Sequence, residues 1–197
     1  MDAVERRAEK RVRPPGDAVL EFALWPAPPA APARLPLAEL GRPAASRRDG
    51  CRLVVADISA QGIGLTLDAP AAILDPLAAV PAFFLYLRLR EYRPQTEGEL
   101  LSLFFHAATA RLTLSAGRLQ AGLRFLRLGR GSPFDKALEF VDVSRFGAPG
   151  LASWIDAVVR GELRPDHDPA PGLNLDRLLD EPDVSGPLPA QGQDSPP

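Results

Sequence analysis

The sequence predicts a mainly β domain built as a small, closed or nearly closed antiparallel barrel. Three observations predict it. Six runs show the two-residue alternation of strands with one buried face. No helical period separates them, and short polar or glycine-bearing turns join them. Closing such a series also removes exposed strand edges.

Composition sets the outer bounds. The chain has 197 residues, 46% of them hydrophobic, enough for one packed domain with appendages or for two small ones. Its net charge is -2, so no global field draws it to nucleic acid, and any anion site must be local. The single cysteine, Cys51, allows no internal disulfide and fits a reducing compartment. Met1-Asp2-Ala3-Val4-Glu5-Arg6-Arg7 has no apolar core, so no secretory signal is expected. The richest apolar stretch, residues 73–89, is broken by Asp75, Pro76, Pro81 and Arg88, so no membrane span is expected either. A soluble cytoplasmic protein is the expectation.

The chain opens on Glu5-Arg6-Arg7-Ala8-Glu9-Lys10-Arg11-Val12-Arg13, where five of nine residues are cationic. Such a run is ordinarily a solvated arm. Its guanidiniums also suit phosphate oxygens, flat bases and the O6 and N7 edge of guanine. Pro14-Pro15-Gly16 closes an arm of residues 1–15, and residues 17–25 form the first expected strand. Residues 26–50 are rich in Pro, Ala and Arg without sustained periodicity, and are expected to be a flexible insertion. Leu35 to Leu40 allow one helical turn at most, and Arg47-Arg48 offer positive charge near the turn that follows.

Residues 52–58 and 63–68 are the next strands, flanking Ser59-Ala60-Gln61-Gly62. In residues 83–90, Phe83, Leu85, Leu87 and Leu89 alternate with Phe84, Tyr86, Arg88 and Arg90. Residues 104–114 set Ala108, Ala110, Leu112 and Leu114 against Thr109, Arg111 and Thr113. Residues 118–128 set Leu119, Ala121, Leu123 and Phe125 against Arg118, Gln120, Gly122 and Arg124. Ser115-Ala116-Gly117 joins the last two as a hairpin.

Helical signals come next. Ser132 suits an N-cap, Pro133 the first position and Asp135 the positive end, so a helix through Phe134, Leu138 and Val141 is expected to end near Gly147. Pro149 starts a second helix with Leu151, Trp154, Ile155 and Val158 in one stripe, stopped by Gly161. That stripe is expected to pack on the barrel, with a docking face for another protein as the alternative. The body of the protein therefore runs over residues 16–161. Residues 162–197 are expected to be a disordered Pro-rich tail, with Leu175, Leu178 and Leu179 as a short candidate partner-binding island.

The chemistry concentrates in Asp57, Ser59, Gly62 and Gly64. Asp57 and Ser59, two residues apart, leave one face of an extended chain. The glycines permit a positive φ or the close approach of a ligand. The Asp57 carboxylate matches the adjacent N–H pair of a guanine edge; an Asx turn inside a hairpin explains the same residues without a ligand.

Two motifs then act together. Arg6-Arg7-Ala8-Glu9-Lys10-Arg11 is a pair of arginines, three residues, then another arginine. Asp57-Ile58-Ser59-Ala60-Gln61-Gly62 is Asp, any residue, Ser, two residues, then Gly. In this order the pair resembles the motifs of PilZ domains, bacterial receptors for cyclic di-GMP. The resemblance covers residues 5–160 and includes Ala121-Gly122-Leu123-Arg124-Phe125 and the helix after it. It implies a six-stranded PilZ-like β-barrel with C-terminal helices, whose arginine arm folds over the ligand. It implies that Arg7 and Arg11, helped by Arg6, contact phosphate and outer guanine edges, while Asp57, Ser59 and Gly62 hold a guanine from the barrel side. It also implies second-messenger signalling, as in motility or biofilm regulation, through a protein partner.

The leading expectation is a non-catalytic cyclic di-GMP receptor whose arm changes conformation and relays the signal. The alternative is a ligand-silent barrel of the same fold serving as a protein-interaction adaptor. Enzymatic activity is not expected. His106 and His167 are far apart, Cys51 lacks metal-ligand spacing, no phosphate-binding loop of the Gly-x-x-x-x-Gly-Lys type occurs, and Asp57 and Ser59 have no nearby histidine. No cofactor, metal or nucleic-acid partner is expected.

Overall fold

Strands dominate the computed structural model, which describes residues 10–16, 18–90, 101–131 and 136–161. Among the described residues nine strands form: β1 (Val19–Ala27), β2 (Arg34–Pro36), β3 (Ala45–Ser46), β4 (Arg52–Ser59), β5 (Gly62–Asp68), β6 (Ala82–Leu89), β7 (Ser102–Ser115), β8 (Arg118–Arg130) and β9 (Ala137–Asp142). Three helices accompany them: α1 (Leu37–Leu40), α2 (Ala71–Leu77) and α3 (Pro149–Arg160). All six expected strands are present, as β1, β4, β5, β6, β7 and β8. The expected count of six rises to nine because β2, β3 and β9 add short ladders around them.

Every ladder is antiparallel, and the sheet runs β2-β9-β8-β7-β6-β1-β3. The long β8 strand makes a curved half-barrel possible. Opposite β7 it serves two neighbours, β5 along residues 118–124 and β9 along residues 127–130, and β4 then joins through β5. Ala116 and Gly117, with φ of 49° and 73°, turn β7 into β8 as the mirror-type turns of two-residue hairpins require.

The inner core is the expected one. Phe22, Leu24, Ile58, Ile63, Leu65, Leu67, Phe83, Leu85, Leu87, Phe105, Leu123 and Phe125 fill it, with Phe105 and Phe125 stacked at 3.9 Å. Helix α3 packs there through Leu151, Trp154 and Ile155, and the Trp154 indole donates to the Arg90 carbonyl at 2.8 Å. Gly161 ends the helix with φ 69°. The stripe therefore meets the core, as expected.

Four expectations are corrected. Residues 26–50 are not a flexible insertion. Ala31, Leu35 and Leu40 are buried, and they cover Trp25, Phe84, Tyr86 and Phe104 in a second core on the outer face of the sheet. Backbone bonds secure this layer, Leu37 to Lys136 at 2.9 Å, Phe140 to Ala33 at 2.8 Å and Ala44 to Leu24 at 2.8 Å. For the same reason β6 buries both faces rather than one, the Phe84 and Tyr86 side included. Residues 137–142 are strand, not helix. The three-residue spacing of Leu138 and Val141 is helical, but the edges available on β2 and β8 decide in favour of β9, where the two fall on opposite faces, Leu138 in the outer core and Val141 against the inner one. The N-cap residues Ser132, Pro133 and Asp135, with Phe134, lie outside the described residues. Finally, β7 does not bury Ala108, Ala110, Leu112 and Leu114 as one face. The register shift between Thr109 and Arg111 changes the parity, so that Leu103, Phe105 and Ala107 face the inner core before it and Leu112 after it, while Leu114, beside the hairpin turn, is 39% exposed.

Arg6 and Arg7 and the tail leucines Leu175, Leu178 and Leu179 also lie outside the described residues. Among the described residues, no helix is long and apolar enough to cross a membrane.

Candidate functional site

The site begins where the arm meets the sheet. Val12 exchanges two backbone hydrogen bonds with Ile58, 3.0 Å from its N–H and 2.9 Å to its carbonyl, so the arm lies antiparallel along the free side of β4. Side chains alternate on either side of that bridge. Arg11 Nη1 donates to Asp57 Oδ1 at 2.9 Å, and Lys10 Nζ to Asp156 Oδ1 on α3 at 2.7 Å. The Lys10 ammonium holds the Asp156 carboxyl below its ordinary range, first by its hydrogen bond and then by its charge.

Asp57 stands opposite Gly64, next to a bulge between Val55 and Asp57. The glycine makes room for the carboxylate: a Cβ on Gly64 would sit 2.9 Å from Asp57 Oδ2. Gly62 lies against β8, where a Cβ would be 2.6 Å from the Leu123 carbonyl oxygen. Neither glycine has a positive φ. The positive φ expected of them is absent, and the space they leave is taken by the protein's own Asp57 side chain and β8 backbone.

A cleft of about 380 Å³ opens beside these residues, a size usual for small-molecule sites. Arg11, Asp57, Gln61, Gly62 and Gly64 line one side, and Arg111 of β7 and Arg124 of β8 the other. Pairing builds it, because Gly62 lies opposite Arg124 and Gly122 opposite Arg111. Three guanidiniums thus face one carboxylate in a chain that is acidic overall. Among the described residues, Arg111 and Arg124 have no carboxylate partner. The arrangement suits an anion with flat, hydrogen-bonding groups: guanidiniums take phosphate oxygens and the carboxylate takes paired N–H groups.

Of the expected site residues, Arg11, Asp57 and Gly62 come together at the cleft. Ser59 does not line it. It is wholly buried, and its hydroxyl donates to the Gly62 carbonyl at 3.3 Å, fastening the β4–β5 turn from beneath. Arg47 is also elsewhere, donating to the carbonyls of Val19 and Leu20. Gln61, Arg111 and Arg124 were not anticipated. The outward parity of Arg124 was visible in the sequence, but no local signal said that β5 and β7 would bring it beside Asp57. Among the described residues no cluster of His, Cys, Asp and Glu could hold a metal ion. Burial in the inner core pushes the Cys51 thiol up.

Fold and cleft together define a mainly β, antiparallel half-barrel with a cationic groove closed on one side by an N-terminal arm. No protein-family model, no curated protein and no solved structure matches this chain.

Proposed function

We propose that this chain is a cyclic di-GMP receptor, a PilZ-like barrel whose six long strands β1, β4, β5, β6, β7 and β8 carry a ligand site under the arginine arm. The observation that supports it most is the Arg11–Asp57 contact across the mouth of the cleft. One residue from each of the two motifs, 46 positions apart, meets at a groove that offers two further arginines. In this reading the dinucleotide enters between them. A guanine N–H pair takes over the Asp57 carboxylate, while Arg11 turns to phosphate or to the guanine O6 and N7 edge. Arg6 and Arg7 belong to the same arm and would add to the cationic side. Ser59 acts by holding the turn and Gly62 by admitting β8 to close range. The receptor is non-catalytic and cytoplasmic, and it passes the ligand-dependent position of the arm to a protein partner.

Titration calorimetry with cyclic di-GMP tests the reading. Micromolar or tighter affinity is expected, about 8 kcal/mol or more. Arg11→Ala and Asp57→Ala each lose one charge-assisted contact and should weaken binding by about 1.5 to 3 kcal/mol. A parent protein that gives neither heat nor thermal shift with excess ligand would remove the receptor reading and favour the ligand-silent adaptor.

A further inference from the structure

The loop between β9 and α3 presents Phe146, 84% exposed, whereas the other aromatic rings among the described residues are buried or partly buried. The loop is firmly held. The Asp142 carboxylate accepts the Ser144 N–H at 2.8 Å and its hydroxyl at 2.7 Å. Gly147, at φ 74°, donates its N–H to the Val143 carbonyl at 2.8 Å. On either side of Phe146 the loop is tied to the β4–β5 turn. Gln61 Nε2 donates to the Arg145 carbonyl at 3.4 Å, and the Ala148 N–H donates to the Ala60 carbonyl at 2.9 Å. Gly147 makes that approach possible, since a Cβ there would lie 2.7 Å from the Ala60 Cβ. Because Gln61 lines the cleft, its bond to the Arg145 carbonyl joins the loop that carries Phe146 to the cleft wall. The Arg145 guanidinium carbon lies 5.1 Å from the ring centroid, a cation–π contact that steadies one face while the exposed remainder faces solvent.

The geometry points to Phe146 as a stacking platform for a flat nucleobase of the ligand held in the cleft. The inference rests on the dinucleotide reading above and adds to it a residue that selects a base over a bare phosphate. Two features carry it: an open aromatic face, and a loop that holds that face still before any ligand arrives, so little ordering opposes stacking.

The test is calorimetry on the full chain with cyclic di-GMP and, separately, with pyrophosphate. The proteins compared are the parent, Phe146→Ala, Phe146→Leu, Phe146→Tyr and Arg11→Ala. Phe146→Ala and Phe146→Leu should weaken cyclic di-GMP about tenfold, the usual scale of one lost base–aromatic stack. Phe146→Tyr should keep the parental affinity, and pyrophosphate should not distinguish the Phe146 variants from the parent. Parental affinity in Phe146→Ala, or in Phe146→Leu, which keeps the bulk without the ring, overturns the inference. If Arg11→Ala weakens binding in that same series, the receptor reading stands and the stacking role alone falls. A parent that takes up no cyclic di-GMP overturns both.

Discussion

Gly62 and Gly64 share a strand, but their neighbours differ in how far they can yield. A methyl at Gly62 would strike the Leu123 carbonyl oxygen at 2.6 Å, which belongs to the β8 backbone and moves only if the ladder moves. Gly62→Ala should therefore destabilise the protein by about 1 to 3 kcal/mol, the range for overpacking a tight interior. A methyl at Gly64 would meet the Asp57 carboxylate, a side chain 41% exposed that can swing toward water. The entropy lost from the unfolded chain offsets part of that displacement. The ion pair it disturbs is exposed on both sides and contributes about 1 kcal/mol at most. Gly64→Ala should thus leave the urea midpoint close to parental, and, on the proposed receptor reading, weaken cyclic di-GMP binding by moving Asp57 away from Arg11. Equal losses of stability in the two variants would show that the sheet, not the carboxylate, governs both positions.

Elements were legible in the sequence wherever one face was apolar and the other polar. Strands β5 and β8 declared themselves that way, and the stripe of α3 did so at the helical period. The segment from Pro28 to Leu40 could not, because Ala31, Leu35 and Leu40 follow no period and acquire their partners only when the sheet's outer face exists. Strand β9 was hidden for a related reason: its apolar spacing is helical because the strand serves both cores, and the ladder with β2 and β8 is long-range information. The candidate site divides along the same line. Arg11 and Asp57 were readable as motif residues, whereas Arg111 and Arg124 reach the cleft through strand register. A direct consequence concerns the outer layer. If residues 26–44 are a structural layer, Leu35→Ala, at a side chain only 5% exposed, should cost about 2 to 5 kcal/mol in chemical denaturation. The amides of Leu37, Ala44 and Phe140 should also exchange slowly with solvent. Fast exchange at all three would return the segment to the status of a loose insertion.

The molecule as a whole is one sheet between two cores, and the two respond differently to acid. Among the described residues the inner core holds no ionisable group apart from the Cys51 thiol. Facing the outer core, His106 on β7 is 1% exposed and 5.6 Å from the Phe84 ring. Its Nε2 lies 2.9 Å from the Pro28 carbonyl, an oxygen that can only accept, so Nε2 carries the proton and Nδ1 is left without a partner. Protonating Nδ1 would bury a charged N–H beside Arg127, which stands opposite in the β7–β8 ladder and donates to the Ala31 carbonyl at 3.2 Å. Burial accordingly pushes the imidazole below its ordinary value. Arg127 acts in the same direction, and the Pro28 bond opposes it. The unfolded chain then takes up this proton first. Stability is complete above about pH 6.5, the ordinary imidazole value, and declines as pH falls from there until the folded form protonates as well. His106→Gln can still donate an amide N–H toward Pro28 but cannot titrate. Urea midpoints measured from pH 7.5 down to pH 5 should therefore fall more steeply for the parent than for His106→Gln, with the outer-layer amides losing exchange protection first in the parent. Parallel pH profiles in the two proteins would mean that acid enters elsewhere and that the layer over β6 and β7 is not held in place by a neutral histidine.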